Sequence, residues 1–530
     1  MKTNRIRRAI GMGGMLLAVM SLTNCTKNFD DINTPKDVLV MNETLLGQAF
    51  AKAQYSAMAG QYQQTQNLFA DNYAQYFATT HARFNSDQFE ENATWVNTGF
   101  NEFYTGAAPQ LFAVENYTKE DMPVENAVAK VWRVQMYHRT SDYFGPIIYS
   151  AFGNGETSVP YDSQEAVYRD FFKTLDTAVT VLQDNQSANA FGTHDQMYAG
   201  DVAKWLTFAN SLRLRLAMRV VYVDPDLAKS EAEKAVAAGV MTSNDENAGV
   251  LSTDMTGFYN GLATWTYISE FRASAAMIGT LLGYEDPRLD AYYNEAGDRL
   301  GGTDGYKGLR NGVPASAKAD GSINDAYSFV DTKWLPTWEG GANLPNLVMS
   351  AAEVFFLRAE GALRGWNMGG TAAALYAEGI RASLTQWTDA TAAEIDQYIQ
   401  STNTPAALDD EWDSPAMTDI PVAYQSGADF ETQLEQIITQ KWIGLYPDGR
   451  EAWAERRRTG YPRGYAIINS LNPDIPTTGM MRRLRFTVNE ISTNSVAVEA
   501  ARELLNGPDE NTTRLWWDAK PINLFPVPTE

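Results

Sequence analysis

The stretch "DVAKWLTFANSLRLRLAMRV", residues 201–220, spaces its apolar side chains by threes and fours. Val202, Trp205, Leu206, Ala209, Leu212, Leu216 and Val220 therefore share one face of a helix, with Asp201 placed to cap its start. Arg213, Arg215 and Arg219 lie off that stripe, where their stems are expected to cover apolar surface. The pattern recurs. In "SAAEVFFLRAEGALRGW", residues 350–366, Ser350 and Glu353 have the spacing of a capping box. Phe355, Ala359, Ala362, Leu363 and Trp366 form the stripe, and Gly365 or Gly369 is placed to end it. In "TQLEQIITQKWIGLYPDGREAWAERRRTGYP", residues 432–462, Thr432 and Glu435 repeat the capping-box spacing. Leu434, Ile437, Ile438, Lys441, Trp442 and Leu445 follow at helical intervals. Pro447-Asp448-Gly449 then makes a turn, and a further helix restarts at about Arg450. Strand-type alternation is confined to short candidates such as "FGPIIYS" and "RRLRFTV". The expected fold is all-α, mostly helix pairs with irregular loops, and no repeat period of 20–50 residues is visible.

Three stretches do not read as helix: residues 83–106, 292–346 and 402–429. The second is long for a compact domain unless it is functional or disordered, and its tryptophans argue against plain disorder. With 13 Trp, 26 Tyr and 23 Phe, the chain has aromatics to spare beyond its helix stripes. Trp205, Trp366, Trp442 and Trp453 sit on those stripes and are expected in the core. The others are candidates for a flat face against an apolar ligand surface, flanked by polar groups that fix orientation. The candidate binding residues are Trp95 with Asn97 (Asn92 and Asn101 are close by), Tyr259, Trp265, Trp334 and Trp338. Each has the competing reading of a ring that packs a loop down.

The first eight residues, MKTNRIRR, carry four positive side chains and no acid, and an apolar run follows from Ala9 to Leu22. That run suits a signal-peptide core and is too short to span a bilayer. Leu22-Thr23-Asn24-Cys25 then resembles the lipobox of bacterial lipoproteins, with Asn24 in place of the usual Gly or Ala. Cys25 is the one cysteine in 530 residues, so no disulfide framework is available. The expected organisation is a signal peptide over 1–24, a lipid-anchored tether over 25–40 and a single helical domain over 41–530. A formal net charge of −23 argues against nucleic acid and against a polybasic hold on anionic lipid.

Catalysis finds little support. Three histidines, His81, His138 and His194, have no partner at metal-ligand spacing. No GxSxG elbow, Walker-type loop or EF-hand spacing occurs. The Arg456-Arg457-Arg458 run is expected to pair structurally with Asp448, Glu451 and Glu455. No cofactor or metal is expected, with a structural calcium ion left open.

Five ordered blocks carry a resemblance: "GDVAKWLTFANSLRLRLAMRV" (200–220), "EDPRL" (285–289), "SAAEVFFLRAEGALRGW" (350–366), "YAEGIRASL" (376–384) and "EQIITQKWIGLYPDGREAWAERRRTGYP" (435–462). With "NFDDINTP" near the start and "RRLRFTVNE" (482–490), they resemble the SusD/RagB family of nutrient-binding outer-membrane lipoproteins. The resemblance implies tetratricopeptide-like helix pairs with a loop-rich ligand-binding half. It also implies a lipid anchor at Cys25 on the outer face of the outer membrane, no enzymatic activity, and a TonB-dependent, SusC-like barrel as partner. The implied ligand is an oligosaccharide, with a peptide or other nutrient as the alternative. A surface adhesin or a glycoside hydrolase is the reading from other classes. The family's ligand residues vary with the ligand, so none is carried over by position.

Overall fold

A computed structural model describes residues 42–252, 259–268, 270–298, 302–318 and 322–521. The signal segment, Cys25 and the tether lie outside the described residues. The chain forms two compact units, Met1–Leu46 and Gly47–Glu530, and the architecture below is that of the second.

Successive helices pack as pairs. Pro123–Phe144 lies on Gln164–Asp184, Val202–Arg219 on Pro225–Ala238, and Ala351–Leu363 on Ala372–Trp387, while Phe430–Gly444 meets Gly449–Thr459. Their connections carry the caps that local chemistry demands. Asp224 accepts from the Leu227 N–H at 3.2 Å with Pro225 opening the helix, and Thr371 accepts from the Ala374 N–H at 3.2 Å. Asp448 accepts from the Glu451 N–H at 3.4 Å, so the predicted turn and restart are both present. The all-α expectation holds. Among the described residues strand pairing is limited to two short antiparallel ladders, Phe77–Thr79 with Phe271–Ala273 and Ala248–Val250 with Asn346–Met349.

Asp201 caps its helix as expected, accepting from the Lys204 N–H at 3.1 Å. The two predicted capping boxes differ from expectation. Ser350 accepts from the Glu353 N–H at 3.2 Å, but the Glu353 carboxylate turns to Arg215 at 2.6 Å. Thr432 lies inside its helix: Asp429 is the cap and accepts the Thr432 N–H at 2.9 Å, while Glu435 binds Arg463 at 2.6 Å. At Ser350 a charge-assisted bond to arginine displaces the weaker reach back to an orphan amide, whereas at Thr432 the amide is already taken by Asp429. Trp366 is also displaced from its predicted stripe. The helix ends at Leu363 in a Schellman turn, with Gly365 at φ +80° and the Trp366 N–H on the Gly361 carbonyl at 3.0 Å. Trp366 is half-buried beyond that end.

The core departs from the sequence reading in its charges. Arg213, Arg215 and Arg219 are fully buried rather than spread over the surface. Neighbouring helices enclose Val202–Arg219 and supply acids to it. Arg219 meets Asp142 at 3.4 Å, Glu451 at 2.5 Å and Glu455 at 3.1 Å. Arg458 binds Glu360 at 2.6 Å and Glu455 at 2.6 Å, and Lys441 lies 3.0 Å from Glu455. The arginine run is structural, though its acids are shared unevenly. Arg456 donates to the Tyr73 carbonyl at 2.9 Å and Arg457 to the Asp142 carbonyl at 2.7 Å. The Arg457 guanidinium also sits 3.6 Å from the centroid of the Trp453 ring. The "EDPRL" block is likewise internal, with Arg288 on Asp286 at 2.6 Å and on Gln440 at 2.8 Å. Carboxylates and backbone carbonyls facing these cations offset much of the cost of burying them.

Candidate ligand-binding site

The three stretches that did not read as helix meet in space. The Phe77–Thr79 strand leads into a turn whose Thr80 N–H donates to the Glu270 carbonyl at 3.0 Å. The Lys318 ammonium, from the long loop, reaches back to this turn, donating to Thr79 Oγ1 at 2.8 Å and lying 3.3 Å from the Asp87 carboxylate. Gln88 donates to the Gly312 carbonyl at 3.4 Å, tying the first stretch to the second again. The second and third are joined by Arg310, which donates to Ser414 Oγ at 3.1 Å and stacks 4.3 Å from the Tyr465 ring centroid. Asp410 holds the far loop in shape, accepting from the Trp412 N–H at 3.0 Å and the Ser414 hydroxyl at 2.6 Å.

Between the second and third stretches lies a cleft of about 740 Å³, to which the first contributes no lining residue. Tyr306 and Tyr327 supply its aromatic faces, Ile323 and Leu408 part of its apolar floor, and Asp304, Asp409, Asp410, Glu411 and Lys307 its charges. The Tyr306 hydroxyl donates to Asp290 at 2.7 Å, and burial, aided by that carboxylate, raises its pKa. Burial and the neighbouring Glu411 push Tyr327 up to about 12. Both phenols therefore remain protonated donors at neutral pH. Neither tyrosine was singled out from sequence, although both fall in the long stretch, 292–346, whose length and tryptophans argue for a functional role rather than plain disorder.

The aromatics chosen from sequence are placed unequally. Trp95 is half-buried on a helix, Ala93–Asn101, that the sequence reading left as loop. Asn92 caps it, accepting from the Thr94 N–H at 3.0 Å and the Trp95 N–H at 3.3 Å. The Trp95 ring stands edge-on to Phe84 of the 80–85 turn, with centroids 5.4 Å apart. Asn97 accepts the Asn489 N–H at 3.2 Å, so its carbonyl serves a helix start. Tyr259 and Trp338 form an edge-on pair 5.2 Å apart, and Trp338 is 56% exposed. Trp265 is half-buried on Gly261–Ile268, a helix that packs on the π-helical stretch Gln63–Asp71 and on the Thr332–Trp334 turn. Ala93–Asn101 packs on the same stretch, so Trp95 and Trp265 flank one element. Trp334 is different: 1% exposed, it lies against Trp387 at 5.3 Å and Tyr446 at 6.0 Å, in the core.

Among the described residues, no group of three or more His, Cys, Asp or Glu side chains is disposed to hold a metal ion. None of the described helices is long and apolar enough to cross a membrane.

Paired helices carrying one irregular half, with aromatic rings and carboxylates around a cleft, define a helical ligand-binding body. The family model for SusD-like proteins, the SusD and RagB outer-membrane lipoproteins, matches residues 27–518. The chain belongs to this family. Its solved neighbours include a chitin-binding SusD homologue from Flavobacterium johnsoniae, 36% identical, with a TM-score of 0.82 over 90% of this chain and 98% of that one. A SusD homologue from Bacteroides thetaiotaomicron is 32% identical, with a TM-score of 0.80 over 90% of this chain and 99% of that one. A further structure described as a chitin-binding protein is 28% identical, with a TM-score of 0.74 over 90% of this chain and all of the other. No curated protein matches the sequence. SusD-like proteins are nutrient-binding outer-membrane lipoproteins rather than enzymes.

Proposed function

We propose that this protein captures an oligosaccharide in the cleft between its second and third irregular stretches and passes it, unaltered, to a SusC-like TonB-dependent barrel. The observation that carries the reading is the convergence itself. The second and third stretches, joined by Arg310 and Ser414 across 104 positions, meet around one aromatic-lined cleft of about 740 Å³, a size suited to a few sugar units. The chitin-binding neighbour, similar over nearly its whole length, makes oligomers of N-acetylglucosamine the first ligand to test. Tyr306 and Tyr327 line the cleft and offer donors that stay protonated, while exposed Trp338 and its partner Tyr259, outside its lining, offer a further apolar face. Acylation of Cys25 holds the body at the outer face of the outer membrane, and no turnover of the ligand is expected.

Tryptophan fluorescence of the chain is to be titrated with N-acetylglucosamine oligomers, maltooligosaccharides and peptides. A saturable shift with a glycan, weakened at least about tenfold by Trp338→Ala or Tyr327→Ala, supports the reading. A second reading has its own observation: the cleft carries four carboxylates, Asp304, Asp409, Asp410 and Glu411, against one lysine. Response to lysine-rich peptides alone would move the assignment to a cationic peptide nutrient. Release of reducing ends during the titration would contradict capture without chemistry. Cys25→Ala is expected to leave the membrane fraction, and retention there would refute the anchor.

A further inference from the structure

A second cleft lies in the helical half and shares no lining residue with the loop-side one. It opens between Ala108–Thr118, Pro123–Phe144, Gln164–Asp184 and the turn at 149–153, with a volume of about 510 Å³. The turn is built to sit where it does. Ile147 and Asp162 bridge it, the Ser150 N–H and hydroxyl both donate to Asp162 at 2.8 Å, and the Tyr149 hydroxyl donates to Asp170 at 2.7 Å. Gly153, at φ +80°, lets the turn close on Phe112, because a Cβ there would lie 2.4 Å from the ring. Phe112 is held edge-on to Phe152 at 5.7 Å and still leaves 40% of its surface to solvent. Phe112 thus presents a fixed apolar ring face at the rim of the cleft.

The rest of the lining is polar in both senses. Arg133 and Lys173 donate, while Glu115, Asp162 and Asp170 accept. Arg133 pairs with Glu115 at 3.3 Å and lies 5.5 Å from the Tyr149 ring centroid, so the strongest charges are matched within the wall. A site for a phosphate would leave its cations unmatched, and a site for a cation would lack them. What remains is an apolar face beside interleaved donors and acceptors of nearly balanced charge. A saccharide ring presents the complement: one apolar face, and hydroxyls that donate and accept around its edge. We propose that this cleft is a second site for a neutral saccharide unit, stacked on Phe112 and hydrogen-bonded to Asp170 and Arg133.

The test is binding stoichiometry on the full chain in detergent, by calorimetry with tri-N-acetylchitotriose, cellotriose and maltotriose. Two equivalents are expected for at least one of these. Phe112→Ala should leave one equivalent, or weaken it at least about tenfold, without altering the other. Trp338→Ala paired with Tyr327→Ala should remove the other and spare the Phe112 site, which makes failure of the loop-side reading separable from failure of this one. Phe112→Trp, which enlarges the face without removing it, should keep or tighten the second equivalent and guards against a folding artefact. A single equivalent with Phe112→Ala titrating like the parent overturns the proposal. So does heat from none of the three sugars, or a second equivalent indifferent to both Phe112→Ala and Asp170→Asn.

Discussion

Glu455→Gln is the sharpest probe of the buried charge network, because it keeps shape and removes one charge. Glu455 is buried and faces three cations: Arg219 at 3.1 Å, Arg458 at 2.6 Å and Lys441 at 3.0 Å. Burial alone would raise its pKa. Arg458, Lys441 and Arg219 outweigh that and hold it well below the ordinary carboxylate range. The arginines keep other acids after the change, Glu451 and Asp142 for Arg219 and Glu360 for Arg458. Lys441 is left without its paired carboxylate while 1% exposed, held at Glu455 by charge and not by an aligned hydrogen bond. Breaking a buried pair by removing one partner costs about 3–5 kcal/mol. A protein of ordinary stability has about 5–15 kcal/mol in all. Heating reads this poorly. At roughly 2 cal/mol/K per residue, the roughly 480 residues from Gly47 onward give about 1 kcal/mol per degree, hence a Tm fall of only about 4 °C. Urea is the better assay, since a slope of a few kcal/mol per M puts the loss at roughly 1 M in midpoint. Adding Lys441→Met to Glu455→Gln should restore about half, by removing the stranded ammonium. A single variant within about 1 kcal/mol of the parent, or a double variant no better than the single, would refute the account.

Acid should unfold the protein through the same network. Burial raises Glu360 and Glu451, yet Arg458 and Arg364 around the first, and Arg219 and Arg215 around the second, bring both down to about 2 from 4.5. The folded values lie below the unfolded one, so this stability is present above pH 4.5 and is lost as pH falls toward 2, by up to about 3 kcal/mol per group. Urea midpoints flat from pH 5 to pH 3 would contradict it. Asp71 has the opposite sign: burial pushes it up to about 7 from 3.8, against hydrogen bonds from Gln66, Tyr62 and Asn67. Its penalty grows as pH rises from 3.8 through 7, so Asp71→Asn should gain roughly 2–3 kcal/mol more at pH 8 than at pH 5. A gain that does not change with pH would show the cause is not ionisation.

The helices were legible in the sequence because their signals are local. Asp201, Ser350 and Asp448 announce their own helix starts, and a 3.6-residue stripe needs no knowledge of its partner. The destinations of the charges were not legible. Arg215 finds Glu353 at 138 positions' distance, and no spacing rule marks Arg215 as an interior residue. The helix bearing Trp95 was hidden because its stretch is polar with interleaved aromatics and carries Gly99, a poor helix former. Gly99 instead permits contact, since a Cβ there would lie 3.3 Å from the Gln64 carbonyl oxygen. Asn92 was the signal available for that helix, being a good N-cap residue. The site itself was half visible. The absence of helical period picked out the three stretches that meet, but not Tyr306 and Tyr327, because nothing in their neighbours distinguishes a cleft-lining tyrosine from one that packs a loop. Arg310 and Ser414, 104 positions apart, show why: the contact that joins the two stretches around the cleft is long-range.

Trp334 is a loop tryptophan whose indole N–H, like that of core Trp132, has no hydrogen-bond partner among the described residues. Trp442 donates to the Ala74 carbonyl at 2.9 Å, Trp453 to the Met481 carbonyl at 3.0 Å and Trp205 to Asp195 at 2.7 Å, as expected of rings committed to the core. Trp334 is as deeply buried without such a bond. An orphaned buried donor costs about 1–3 kcal/mol. Trp334→Phe removes that donor while losing about 1–2 kcal/mol of packing against Trp387 and Tyr446, so the net change should stay within about 1 kcal/mol. Trp334→Ala, by contrast, should cost about 3–5 kcal/mol. A ring that only packs leaves ligand affinity untouched by the phenylalanine change, whereas Trp338→Phe, at an exposed face, should weaken it. If Trp334→Phe weakens ligand more than Trp338→Phe does at equal stability, the indole of Trp334 is turned toward the ligand in the bound state, and the loop carrying both tryptophans must rearrange to bring it there.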